Sequence, residues 1–347
     1  MRLLLFTNVL DENDDLMGVV PSWVRALSEK CERVTVVAQR VGSAALPENV
    51  FVRSIDKRKY PFPLMRVLIV WRELWQLRHE YDVVLVLMAP AWASALWPAA
   101  RILRKRLGLW YAVWKGTWKL RIAARLVDHI LTSVPEAFPF QSQRVNAIGQ
   151  GIDIELFRPD PTARIAGRII FVGRLSPVKR LDLFIRALAK AALDDPELHV
   201  HMFGEPGLTH QKYVQELKAL SQSLNIANRI HWFGKIAHTQ VAEVYRTGDL
   251  FLNLTPAGSF DKTALEAMAS GLLVITSNPA LAGFFRVADC EKLVVPEQDV
   301  AGLADTIRYV RSLSPDESDV LRRRLREIVV DQHSLLQWAK NVVKILA

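Results

Sequence analysis

At 347 residues and 50% hydrophobic content, the chain is longer than one average core fills, so two domains are expected. Lys and Arg number 45 against 36 Asp and Glu, a formal net charge of +9 at pH 7. The two cysteines, Cys31 and Cys290, stand far apart without CxxC spacing, which argues against a disulfide framework or a zinc site and fits a reducing cytoplasm.

The opening MRLLLFTNVL is too short an apolar run, and too soon followed by acids, for a signal peptide; a first strand is expected. Strand and helix patterns then alternate: a helix near Val19 to Lys30, RVTVVAQ, NVFVRSI, a helix near Leu64 to His79, DVVLVLMA, LGLWYAVW and HILTS. Alternation of this kind implies a parallel, doubly wound sheet. Asp11, Glu12, Asp14 and Asp15 follow the first strand and read as solvated or capping acids of a loop rather than a metal cage. Gly18, just after them, is a point where backbone can approach a ligand. The uncharged run 83 to 100 has nearly the length of a membrane span, but Pro90 and Pro98 favour a buried strand, a loop and a short helix.

Residues 1 to 150 carry 21 Lys plus Arg and 13 Asp plus Glu, so nearly all of the positive excess lies there. Such asymmetry points to an anionic partner. Between Ala91 and Arg125, Trp92, Trp97, Trp110, Trp114 and Trp118 are interleaved with Arg101, Arg104, Lys105, Arg106, Lys115, Lys119 and Arg121. Two readings stand: an interfacial contact with an anionic membrane, or core tryptophans under a solvated basic surface. No RNA-binding signature is present, and nucleic acid is not expected as a partner.

IGQGIDIELFRP (148 to 159) is glycine-rich and leads through PDPTARIAG to a domain boundary near 152 to 166. The second half repeats the alternation with RIIFVG, LHVHMFGEPG, RIHWFGKI, DLFLNLT, LLVITSN and KLVVPE. In FVGRLSPVK (171 to 179), Gly173 ends a buried strand, and Arg174 and Lys179 occupy the connection to an amphipathic helix. That edge of an open α/β sheet is where backbone N–H groups converge on negative charge, and a guanidinium with an ammonium there suits a diphosphate. Gly204 and Gly207 follow the next strand at the same edge and leave room for a phosphate or a base. About ninety residues on, NLTPAGSFDKTALEAMASG (253 to 271) runs from a strand end through a turn into a helix carrying Glu266. The last stretch, HSLLQWAKNVVKILA, is an amphipathic helix without a partner in this alternation.

Together, FVGRLSPVK and the Asn253 to Gly271 stretch resemble the donor-binding half of family 4 glycosyltransferases of the GT-B fold. The resemblance implies two doubly wound Rossmann-like domains facing a central cleft. The first, acceptor-binding, would span 1–151 plus about 335–347, with the last helix crossing back to it; the donor-binding domain would span 166–334. IGQGIDIELFRP resembles the family's hinge, with Asp153 and Phe157 fixing a linker over 152–165. Arg174 and Lys179 would hold the diphosphate as the catalytic pair, and Glu266 the ribose hydroxyls. Gly173, Gly204, Gly207, Ser259, Phe260, Asp261, Lys262 and Thr263 would complete the donor site, and Gly18 and Lys115 would lie on the acceptor side.

The implied activity is a retaining transfer of a sugar from a nucleotide diphosphate donor to a glycan or lipid-linked acceptor in bacterial surface-polysaccharide or glycolipid assembly. Neither a metal nor another cofactor is expected. The place expected is the cytoplasm, with peripheral attachment to the inner face of the cell membrane. Two positions depart from the family. Gly258 stands eight positions before Glu266, where a sugar-contacting glutamate is usual, and Val113 stands where a histidine is usual after a strand like LWYAV. These keep open a non-catalytic nucleotide-sugar-binding partner of another transferase; a sugar-nucleotide epimerase would need paired acids or histidines that the chain does not offer.

Overall fold

Strands that read as unbroken runs of Leu, Val and Ile have both faces to bury, and here they do so in parallel sheets covered by helices on either side. The computed structural model describes residues 1–14, 17–56, 58–193, 195–256 and 260–347, without the side chains of 238 and 239. The chain divides into two units, Met1–Asp153 with Gln332–Ala347, and Ile154–Asp331.

The first unit holds seven strands: β1 (Arg2–Leu10), β2 (Arg33–Val41), β3 (Val50–Ser54), β4 (Val83–Leu87), β5 (Arg106–Trp110), β6 (His129–Thr132) and β7 (Val145–Ala147). They lie in the order β3-β2-β1-β4-β5-β6-β7, so the winding reverses between β1 and β4. Alternate residues of β1 serve two cores. Leu4 and Phe6 face α2 (Pro63–Gln76), α3 (Pro90–Ile102) and α4 (Trp118–Leu126) through Leu74, Leu96 and Leu120. Leu3 and Leu5 face α1 (Val20–Ser28) and the last helix, α12 (Leu335–Leu346). In that second core Trp338 stacks on Trp23 at 4.8 Å and meets Trp110 edge-on at 5.5 Å. The Trp23 indole donates to the Gly151 carbonyl at 2.9 Å, and Gly151 has φ +73°, a conformation that together with the two abutting indoles leaves no room for a side chain.

Run 83 to 100 forms β4 and α3, with Pro98 inside the helix, and among the described residues no helix is long and apolar enough to cross a membrane. The acids after β1 close locally: Glu12 pairs with Arg25 at 2.6 Å, Asp14 pairs with Arg40 and accepts from the Met17 amide; Asp15 lies outside the described residues. No group of three or more His, Cys, Asp or Glu among the described residues is placed to hold a metal ion.

The second unit's strands are β8 (Arg168–Val172), β9 (His199–Phe203), β10 (Ile230–Gly234), β11 (Leu250–Asn253) and β12 (Leu273–Thr276), in the order β10-β9-β8-β11-β12. The winding reverses between β8 and β11. KLVVPE, read as a strand, forms instead a 3-10 turn over Glu291–Leu293 and a single bridge from Val294 to Thr276. The stretch 152–165, read as a linker, divides between the units. Residues from Ile154 onward are bound into the second, where Phe157 is buried against Tyr245, Arg326 donates to the Phe157 carbonyl at 3.0 Å and Arg246 to the Leu156 carbonyl at 2.9 Å.

Candidate functional site

In an open α/β sheet, ligands sit beyond the carboxyl ends of the strands where the winding reverses, since helices leave in opposite directions there and open a crevice. In the second unit that point lies between β8 and β11. FVGRLSPVK follows the first of these strands, and the stretch from Asn253 follows the second. The spacing of ninety residues therefore becomes lateral adjacency.

The loop after β8 is tied to the one after β9. Gly173 N–H donates to the Phe203 carbonyl at 3.0 Å and Leu175 N–H to the Glu205 carbonyl at 3.1 Å. Gly204, at φ +146°, passes so close to Gly173 that a Cβ would strike its carbonyl. The chain then makes a 3-10 turn over Pro177–Lys179 and enters α5 (Leu181–Ala191) through Arg180, whose φ is +49°.

Lys179 does not project freely. Its ammonium is hydrogen-bonded to Asp261, whose side chain is 10% exposed. The same carboxylate accepts from Asn253 Nδ2 at 3.0 Å, Thr255 Oγ1 at 2.9 Å and Thr263 Oγ1 at 2.9 Å. Burial opposes its ionisation, but the charge and hydrogen bond of Lys179, with the two threonine hydroxyls, outweigh that and hold the carboxyl below its ordinary range. Behind it, Asn253 Oδ1 accepts from Thr276 Oγ1 at 3.2 Å, and Asn278 donates to the Thr255 carbonyl at 3.1 Å. Asp261 thus anchors one of the three ammonium protons and leaves two for a ligand.

Arg174 differs. It is exposed and, among the described residues, has neither a hydrogen bond nor an ion pair. Gly207 lies beside its stem, where a Cβ would come 3.9 Å from Arg174 Cδ, and the adjoining His210 has a buried Nδ1 that meets no hydrogen-bond partner.

Asp261 also precedes α8 (Lys262–Ala269) at the N-cap position, yet its carboxylate, turned to Lys179, makes no cap bond to the helix. Glu266 is 3% exposed and pairs with Lys262 at 2.9 Å, one turn apart. Phe260 is buried against Phe284, and the Thr263 carbonyl accepts from the buried Tyr245 hydroxyl at 3.2 Å. The second unit thus gathers Gly173, Arg174, Lys179, Gly204, Gly207, Asp261, Lys262, Thr263 and Glu266 around the ends of β8, β9 and β11. Ser259 and Gly258 lie outside the described residues.

In the first unit, Gly18 is buried in the turn before α1 and donates to the Asp14 carbonyl at 3.0 Å. Lys115 is exposed after β5, with its carbonyl accepting from the Tyr111 hydroxyl at 3.3 Å, and Val113 packs against the core under α2 to α4. Sequence reasoning missed the supporting amides and hydroxyls of Asn253, Thr255, Thr276 and Asn278. Their signal was available: polar residues ending otherwise apolar strands are either paired or functional.

Residues 163–328 match the family model described as glycosyl transferases group 1. Among curated proteins, the D-inositol 3-phosphate glycosyltransferase of Geodermatophilus obscurus is 28% identical over 242 residues, covering 65% of this chain and 49% of that protein. Its counterpart in Rhodococcus jostii is 32% identical over 146 residues, covering 39% and 32%. The chain spans about half the length, or less, of the curated relatives it matches. Among solved structures, Anabaena Alr3699/HepE in complex with UDP-glucose superposes with a TM-score of 0.75 at 17% identity, covering 100% of this chain and 99% of that one. WaaG, a glycosyltransferase involved in lipopolysaccharide biosynthesis, does so with a TM-score of 0.68 at 17% identity, covering 99% of both. Residues 163–328 are thus similar to glycosyl transferases group 1, and the chain has the α/β fold of two Rossmann-like parallel-sheet units found in GT-B enzymes.

Proposed function

We propose that the protein is a retaining, family 4 glycosyltransferase that moves a hexose from a nucleotide diphosphate sugar to a glycan or lipid-linked acceptor in bacterial surface-polysaccharide or glycolipid assembly. One observation carries the reading: at the winding reversal of the segment that matches glycosyl transferases group 1, a guanidinium with no counter-ion among the described residues stands in the same short loop as an ammonium aimed by a buried carboxylate. Diphosphate oxygens match these donors in charge and in number of acceptors. As the bond to the sugar breaks, charge grows on the leaving diphosphate, and Lys179, fixed beforehand by Asp261, together with Arg174 favours that state over the ground state. Glu266 accepts the ribose hydroxyls, and the departing phosphate takes the acceptor's proton, so no metal and no protein nucleophile is needed. HepE's complexes with UDP and UDP-glucose make a UDP-sugar the first donor to try.

The reading is tested by a thermal-shift screen of UDP-, GDP- and ADP-sugars, followed by donor turnover with the stabilising one. A ligand at a hundred times its dissociation constant adds about 2.7 kcal/mol. Glu266→Gln should weaken nucleotide affinity. A donor that binds yet is neither transferred nor hydrolysed would favour the non-catalytic reading, to which the apolar Val113 already lends weight.

The same reading puts the protein in the cytoplasm, attached reversibly to an anionic membrane through its first unit. Support comes from the outer surface of α2, α3 and α4, where Leu64, Leu68, Trp75, Ile102 and Trp118 are each more than half exposed beside Arg72, Arg101, Arg104, Arg121 and Arg125. Within the basic run, Lys105 donates to the Tyr81 carbonyl at 2.6 Å, Arg106 to the Ala347 carbonyl, and Arg101 lies 4.0 Å from Asp128, which leaves Arg104 the most available cation, with the largely exposed Arg101 next. Each cation near an anionic surface contributes about 1 kcal/mol. Sedimentation with anionic liposomes at low salt should fall when Arg101, Arg104 and Trp118 are replaced by Ala; equal sedimentation of wild type and variant would show this surface to be merely solvated.

A further inference from the structure

The first sheet has its own winding reversal, between β1 and β4, and at that edge stands a cation that the donor site does not use. Asn8 lies near the end of β1, Gln39 near the end of β2, and Arg66 in the first turn of α2, three elements far apart in sequence. Gln39 is 3% exposed and spends both ends of its amide here: Nε2 donates to Asn8 Oδ1, and Oε1 accepts from Arg66 Nη1 at 2.8 Å. The half-buried guanidinium is thus aimed by a neutral group.

Among the described residues no carboxylate comes within ion-pair distance of Arg66, whereas Arg2, Arg25, Arg33 and Arg40 in the same unit each meet one. Among the described residues Arg66 Nε is buried and without an acceptor, and neither Arg66 Nη2 nor Asn8 Nδ2 makes a hydrogen bond. Drawing a guanidinium partly out of water is costly, and one amide carbonyl offsets little of that cost. A fork that keeps free donors, with an amide N–H₂ beside it, matches an oxyanion.

We infer that Arg66, Asn8 and Gln39 form an anion site in the first unit and that it takes a phosphate or carboxylate carried by the acceptor. The word acceptor rests on the proposed transferase function; the site itself does not. Gln39 is a positioning residue that holds Arg66, and Arg66 and Asn8 make the contacts.

The test is calorimetric titration of the full chain in an Arg174→Ala background, which removes the open cation of the proposed donor site. Glucose 6-phosphate, glucuronate and glucose are titrated in turn. The anions should bind about tenfold more tightly than glucose, and Arg66→Ala should erase that difference. Arg66→Lys should keep part of it, and Gln39→Leu should lose several-fold while leaving the guanidinium in place. The two lesser variants carry the test if Arg66→Ala does not fold. Stronger binding of the phosphate than of the carboxylate would identify a phosphorylated acceptor, and the reverse a uronic one. Equal affinity for all three sugars, or anion binding that survives every variant unchanged, would overturn the site. No donor or turnover enters the measurement, so failure of the transferase reading would leave its result standing.

Discussion

Strands β8 and β11 lie side by side, and the charges at their two ends are arranged in opposite ways. At the amino ends, Asp249 accepts from Gly167 N–H at 2.9 Å, pairs with Arg322 and lies 3.3 Å from Arg311, which also bonds Asp195 at 2.6 Å. Arg322 is 6% exposed and adds bonds to the carbonyls of Asp249 and Gly271. Asp249, Asp195, Arg311 and Arg322 are all answered from within the unit, although Arg168, which begins β8, meets no carboxylate among the described residues. At the carboxyl ends the network Asp261–Lys179 is answered too, but Arg174, a few residues away, is not. Closed networks hold a fold together; the proposed function gives the open cation at the winding reversal a different task, that of meeting the donor's diphosphate.

If that contrast is right, mutations at the two ends should separate stability from activity. The largest effect is expected for Arg322→Ala, which strands the buried Asp249 carboxylate and should cost about 3–5 kcal/mol in denaturant unfolding, with turnover per folded molecule retained. Less than about 1 kcal/mol would remove the distinction.

Arg174→Ala should do the reverse, lowering donor kcat/KM roughly a hundredfold, about 2.7 kcal/mol, with no change in Tm. Lys179→Ala sharpens the comparison because this residue belongs to both classes. It should lose turnover on a similar scale and, by leaving Asp261 without its cation, also lose about 1–3 kcal/mol of stability. Wild-type turnover in both variants would reject the site assignment.

A smaller effect follows from the depressed pKa of Asp261. A carboxyl held below its unfolded value near 4 stabilises the fold above that pH and loses the contribution as pH falls through the folded value. Urea unfolding should therefore weaken below about pH 4, and Asp261→Asn should flatten that part of the profile; an unchanged profile would mean that Lys179 does not govern this acid. The smallest expected effect is none: turnover should survive EDTA, because cations and helix N-termini meet the diphosphate charge. Loss with EDTA, restored by magnesium or manganese, would contradict this.

The alternation of strands and helices was legible because strands buried on both faces announce themselves as unbroken apolar runs. The same rule misled at KLVVPE, where Leu293 and Val295 are buried but Val294 makes a single bridge instead of a strand. β7 escaped because it is three residues long with an asparagine at its centre, and α11 (Pro315–Gln332) because charged residues dominate its DESDVLRRRLRE stretch. For the candidate site, Arg174 and Lys179 could be read from a strand, a glycine and a loop in one stretch. That Lys179 is held by Asp261, and that Arg66 meets Gln39 and Asn8, could not, since each contact joins residues that only the sheet order brings together.

The most direct measurement is a calorimetric titration of UDP into the wild-type chain and Arg174→Ala at one salt concentration, with Tm recorded for both. An open cation that takes a diphosphate predicts affinity lower by about tenfold or more in the variant at unchanged Tm. Equal affinity at equal Tm would show Arg174 to be a solvated surface charge and contradict the assignment.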